Sequence, residues 1–174
     1  MAIVLRSDHE EPQSVVTSGN LDCSLLPGRL AVCHIPQQAV ARSSWILLRV
    51  VFGFGSSGTS PYCKYLLYDD DGTVTFVAEE AEVVAMQNEG RFTFNDNVSA
   101  DGLGLLLADG WRALQFHFGA AAGESQSAIL NSVAKLLSIR GLSILNMTTY
   151  DSDLILVQQD DLECALDTLS LIHI

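Results

Sequence analysis

Basic residues are scarce in this chain of 174 residues: Lys and Arg total 9 against 21 Asp and Glu, a formal net charge of −12. Phosphate backbones and anionic lipid faces repel such a chain, which argues against nucleic acid or a membrane as partner and favours small cations or basic protein patches. Cysteine is sparse too. Cys23, Cys33, Cys63 and Cys164 form no Cys-x-x-Cys pair and no Cys/His zinc spacing. Reduced thiols and a cytoplasmic location are therefore expected, rather than a disulfide framework. No apolar run approaches the ~18 residues of a membrane span. The apolar start at residues 2–5 meets Arg6, Asp8, Glu10 and Glu11 too soon for a signal segment. What is present is globular: 48% hydrophobic and 17% charged residues. A chain of this length buries roughly 70% of its unfolded surface and needs no covalent staples.

Catalytic and cofactor motifs are also missing. Gly53-Phe54-Gly55-Ser56-Ser57-Gly58 has the spacing of a dinucleotide fingerprint, with Asp69, Asp70 and Asp71 downstream. That chemistry needs a helix to aim its amides at a pyrophosphate. Pro61 and a strand at Lys64 leave no room for one, so the stretch reads as a loop. Asp69-Asp70-Asp71-Gly72 resembles part of a calcium loop, but with Gly72 in sixth place the first and twelfth positions are Leu67 and Ala78. Neither is a ligand, and a hairpin turn is the better reading. His34 and His117 fall on strands with no acid spaced for a dyad, and no serine sits in a nucleophile elbow. The expectation is a binding protein with no catalytic residue, metal or cofactor.

Along the chain, residues 1–24 are polar and read as a mobile lead-in. Residues 29–35 form a strand, 38–52 an apolar run that periodicity does not assign, and 53–61 a Gly/Ser loop. Residues 64–68 and 73–77 make a hairpin, 78–86 a short helix, and 87–110, rich in Asn, Asp and Gly, an insertion or linker. Residues 111–118 read as a strand with Arg112, Leu114, Phe116 and Phe118 on one face. Ile129, Leu130, Val133, Leu136 and Leu137 recur at helical spacing before a Gly141 stop. Strands at 142–149 and 153–158 flank the turn Tyr150-Asp151-Ser152, and Asp160 with Glu163 opens a helix carrying Leu162, Ala165, Leu166 and Leu169.

The last six residues, Leu169-Ser170-Leu171-Ile172-His173-Ile174, match the translation of a sequencing-library transposon adaptor. The native chain is accordingly expected to be cut near Thr168. The order from residue 111 is β-α-β-β-α, one strand short of the ferredoxin-like βαββαβ unit, and the missing strand falls where the adaptor begins. The first half repeats the pattern loosely. The expected fold is α+β: tandem ferredoxin-like modules at 25–110 and 111–168, the second lacking its last strand.

Residues 141–157, Gly-Leu-Ser-Ile-Leu-Asn-Met-Thr-Thr-Tyr-Asp-Ser-Asp-Leu-Ile-Leu-Val, resemble the signature of ACT-domain proteins of the cytosolic arginine-sensor type, the CASTOR family and its short microbial relatives. There a small-Ser-aliphatic segment comes after a helix and leads into Ser/Thr-Thr-Tyr-x-Ser/Thr-Asp-aromatic-Ile-Leu-Val. The resemblance covers about residues 25–168 and is specific from 111 onward. It implies tandem ACT-like modules that bind a free amino acid, arginine first, and act through ligand-dependent protein contacts. It also implies a second copy or second ACT pair as partner, and a GATOR-like regulatory complex. The ligand positions it carries over are Ser143 and Ile144, and in the hairpin Thr148, Thr149, Tyr150, Asp151 and Asp153. The chain departs from the pattern at Leu154, where an aromatic is usual, and in its Ala-rich 119–123 loop. Elementary chemistry adds that Gly119 and Gly123 permit close backbone approach, and that a helix starting near Glu124 offers free amides to a carboxylate. An Asp could hold a guanidinium through two charge-assisted bonds. The alternatives are a regulatory ACT fragment of an amino-acid biosynthetic enzyme, or a ligand-free interaction module.

Overall fold

The computed structural model describes residues 12–18, 21–52, 65–68, 72–88, 106–118, 126–148 and 153–170. In chain order its elements are β1 (Gln13–Ser18), β2 (Leu21–Leu25), β3 (Leu30–Ile35), α1 (Gln37–Val40), α2 (Ser44–Phe52), β4 (Tyr65–Tyr68), β5 (Val74–Glu79), α3 (Glu80–Asn88), β6 (Leu106–Phe118), α4 (Gln126–Ile139), β7 (Ile144–Thr148), β8 (Asp153–Gln158), a 3-10 turn (Gln159–Asp161) and α5 (Leu162–Ser170). They group into two units, Met1–Glu10 with Gly28–Gly110, and Glu11–Pro27 with Trp111–Ile174.

In the first unit β5 runs antiparallel between β3 and β4. β6, whose first five residues belong to this unit, neighbours β3. The elements β3, α2, β4, β5, α3 and the start of β6 thus keep the βαββαβ order, with the fourth strand beside the first. Ala31, Cys33 and Ile35 alternate with outward residues and pack with Val74, Phe76 and Ala78 against Ala39, Ile46, Val83 and Met86. The apolar run at 38–52 resolves as helix from Ser44, and Arg49 lies over the Trp45 ring at 5.3 Å. Ala78 and Glu79 finish a strand rather than start a helix, because each has a β3 partner, Ala31 and Leu30. Gly72, at φ +80°, ends the hairpin turn in a conformation other residues resist.

In the second unit the strand order is β1-β2-β6-β8-β7, every pair antiparallel. Leu114, Phe116, Ile155 and Val157 face α4 and α5, meeting Ile129, Leu130, Val133, Leu137, Leu162, Ala165 and Leu169 in one apolar core. Leu136, expected in that core, is 39% exposed, since the helix turns it past the edge of the buried stripe. Gly141, at φ +77°, closes α4: its N–H donates to the Ser138 carbonyl at 2.9 Å and that of Leu142 to Leu137 at 3.2 Å.

Two expectations need correction. Within the expected lead-in of residues 1–24, residues 13–18 and 21–25 are not loose but a strand pair, β1 with β2. The place beside β6 that a strand after α5 would take is held by β2, with Cys23 opposite Phe116 and Leu25 opposite Leu114. Leu21-Asp22-Cys23-Ser24-Leu25 alternates apolar and polar, and Cys23 and Leu25 complete the core while Asp22 stays exposed. Arg112 fastens this arrangement, donating through Nη1 to Gln159 Oε1 at 3.1 Å and through Nη2 to the Leu26 carbonyl at 3.4 Å. The second correction concerns 87–110: residues 106–110 belong to β6, and Leu107 packs on the first unit's core.

Candidate functional site

The hairpin β7–β8 positions most of the described candidates. Its register sets Ile144 opposite Val157 and Thr148 opposite Asp153, while β8 on its other side sets Asp153 opposite Phe116. Thr148 and Asp153 therefore lie near the end of the sheet where β6 finishes and the chain heads for α4. Ser143 and Ile144 lie at the opposite end, four strand steps or about 13 Å away. The residues that stand close together in the sequence signature fall into two places.

Ser143 is exposed just before β7, and Ile144 is half-buried, packed on the core. Thr148 is exposed on β7, which among the described residues pairs with β8 alone. Gly119, Gly123, Glu124, Thr149, Tyr150 and Asp151 lie outside the described residues, as do the Gly53–Gly58 loop and Asp69–Asp71. His34 is half-buried, with Nδ1 3.2 Å from the Thr75 hydroxyl, and His117 is exposed. Among the described residues no group of His, Cys, Asp or Glu is placed to hold a metal, and no helix is long and apolar enough to cross a membrane.

Asp153 differs from the rest. It is 6% exposed, the one buried carboxylate among the described residues, and its Oδ1 has no hydrogen-bond partner. Strand alternation puts it in phase with Ile155 and Val157, on the side that α4 and α5 cover. Thr168, also buried in this unit, is satisfied: its hydroxyl donates to the Cys164 carbonyl at 2.7 Å. Burying a polar atom without a partner costs about 1–3 kcal/mol, more for a charge, and native proteins pair nearly all such atoms. An acceptor left open one strand in from the solvent-facing Thr148 is suited to a donor-rich cation such as an ammonium or guanidinium. The sequence signature named Asp153 among five hairpin positions; its phase with Ile155 and Val157 is the signal that singles it out.

The two thiols described inside the cores are inert by comparison. Burial raises the pKa of Cys33 to about 12, and burial with the nearby Asp22 charge raises that of Cys23 to about 12. Cys164 on α5 is exposed.

Residues 106–170, from the start of β6 to the end of α5, match the ACT domain family. Comparison with curated proteins finds no match. Among solved structures, the chain is similar to a protein of unknown function from Vibrio cholerae, with 18% identity over 89% of this chain and 91% of that one, TM-score 0.54. It is also similar to the ligand-free regulatory subunit of aspartate kinase from Thermus thermophilus, with 12% identity over 89% and 97% of the two chains, TM-score 0.55. Aspartate kinase from Clostridium acetobutylicum gives 12% identity and TM-score 0.55, over 93% of this chain and 36% of that one. At these identities the likeness is one of fold, and that fold is α+β with ferredoxin-like modules.

Proposed function

We propose that this chain is a regulatory amino-acid-binding protein, that its second unit carries the site, and that arginine is the first ligand to test. The observation that carries this reading is the buried, unpartnered Oδ1 of Asp153. A guanidinium or ammonium placed there would satisfy the oxygen and neutralise a carboxylate held away from water. The ACT match over residues 106–170 supports the amino-acid class. The net charge of −12 favours cationic ligands by raising their concentration near the surface. The outer edge of β7 offers backbone carbonyls beside the same row, either to an ammonium group or to an edge strand of a second copy. Nothing in this reading requires bond-making chemistry; the output is a changed protein contact.

Calorimetric or thermal-shift titration with the twenty amino acids tests it. A ligand at a hundred times its dissociation constant adds about 2.7 kcal/mol. For a chain of this size that raises the melting temperature by roughly 5–10 °C. A flat panel would refute the reading and leave an interaction module. The fold likeness to aspartate kinase and its regulatory subunit favours a second reading, a regulatory portion of an amino-acid biosynthetic enzyme. It shares the binding chemistry and differs in requiring a catalytic domain elsewhere in the same polypeptide or complex, so reading the source gene on both sides of this stretch separates the two.

A further inference from the structure

The two units are copies of one repeat, and their equivalent positions can be paired strand by strand. Arg29-Leu30-Ala31-Val32-Cys33-His34-Ile35 in the first corresponds to Arg112-Ala113-Leu114-Gln115-Phe116-His117-Phe118 in the second. The register agrees: Ala31 opposite Ala78 corresponds to Leu114 opposite Ile155, and Cys33 opposite Phe76 to Phe116 opposite Asp153. Each of these pairs lies on the side its own helices cover. One row of the sheet therefore reads Cys33, Phe76, Leu66 in the first unit and Phe116, Asp153, Thr148 in the second.

Large and small are exchanged across the same cross-strand pair. In the first unit the small thiol of Cys33 faces the ring of Phe76, and both are 0% exposed. In the second the ring belongs to Phe116, and the position facing it shrinks to a carboxylate with an open oxygen. At this row only the second leaves an open oxygen, because neither Cys33 nor Phe76 carries one; the first unit's own unpartnered buried oxygen, Glu80 Oε2, lies at the start of α3, off the row.

We propose that the chain takes up one amino acid per chain, in the second unit alone, and that Phe76 is the residue that closes the corresponding place in the first. The proposal rests on the amino-acid-binding role given above. The first unit is then a structural copy whose site has been filled by its own side chain.

Isothermal titration of the full chain with L-arginine, and then with the other nineteen amino acids, decides it. The expected stoichiometry is one per chain. Asp153→Leu should weaken binding about a hundredfold or more. Its circular dichroism should be unchanged and its melting temperature the same or higher, which separates lost binding from lost fold. Phe76→Leu, also checked by circular dichroism, should keep the stoichiometry and hold the affinity within about threefold. Two ligands per chain, full binding by Asp153→Leu, or loss of binding in a folded Phe76→Leu would each overturn the proposal. Silence of the wild-type chain towards every amino acid is a different result: it would refute the binding role itself, and this proposal with it.

Discussion

Asp153→Leu should make the unliganded protein more stable. Leucine branches at Cγ as aspartate does and opens no cavity; its methyl groups are bulkier than the oxygens they replace, and the extra volume is taken up along a row that ends at the exposed Thr148. It removes an acceptor whose Oδ1 is buried and unpartnered, at 6% residue exposure. Such an atom costs about 1–3 kcal/mol. With a urea slope of about 2 kcal/mol/M the midpoint should rise by roughly 0.5–1.5 M. The melting temperature should rise by about 3–8 °C. Ligand closes or reverses the difference: at a hundredfold excess over its dissociation constant, arginine should add about 2.7 kcal/mol to the wild type and no more than about 0.4 kcal/mol to the variant. Urea denaturation of both proteins, with and without arginine, reads all four values. A free variant less stable than the free wild type by more than about 1 kcal/mol would refute the reasoning, because it would mean that the carboxylate holds the fold together.

Three further outcomes are expected from the same structure. Leu25→Ala, at a residue 8% exposed on β2, should cost about 2–4 kcal/mol in urea denaturation, as for other core leucines, although it lies some 90 residues from its strand partner Leu114. Gly141→Ala should cost about 1–2 kcal/mol from backbone strain alone, since φ is +77° and a Cβ there meets no atom within 4 Å; a neutral effect would show that α4 ends differently. Stability should fall as pH rises, starting near 9 and continuing towards about 12, because Cys23 and Cys33 keep their protons in the folded state well above the unfolded thiol value of 9.0. Cys33→Ala should flatten that fall relative to wild type, and near pH 8 Cys164 should be alkylated long before either buried thiol.

What could be read from the sequence was whatever close neighbours decide. Ile129, Leu130, Val133 and Leu137 mark one face of α4, and Gly141 stops it, through interactions that span a few residues. The strand face Arg112, Leu114, Phe116 was legible for the same reason, as period-two alternation needs no knowledge of the partner. β2 was not legible. Five residues with apolar side chains at Leu21, Cys23 and Leu25 are too short a pattern to stand out, and their meaning comes from Phe116 and Leu114, far along the chain. The site divided in the same way. The signature groups Ser143 with Thr148 and Asp153 because they are near neighbours along the chain, but an extended strand carries its two ends apart. Leu154, the departure from the expected aromatic, is 2% exposed and points away from the Asp153 side, so the change leaves the carboxylate row untouched.

Because β2 is completed by a strand that comes roughly 90 residues later, a ribosome working at about 5–20 residues per second leaves that hairpin waiting on the order of 5–20 s for its mate. During that interval Cys23 and Leu25 have no core to enter, and the first unit finishes its own sheet before the second can begin to close. Birth order thus runs against spatial order: β2 emerges well before the strand that seats it, and anything that slows elongation lengthens the time in which its bare backbone amides can find the wrong strand.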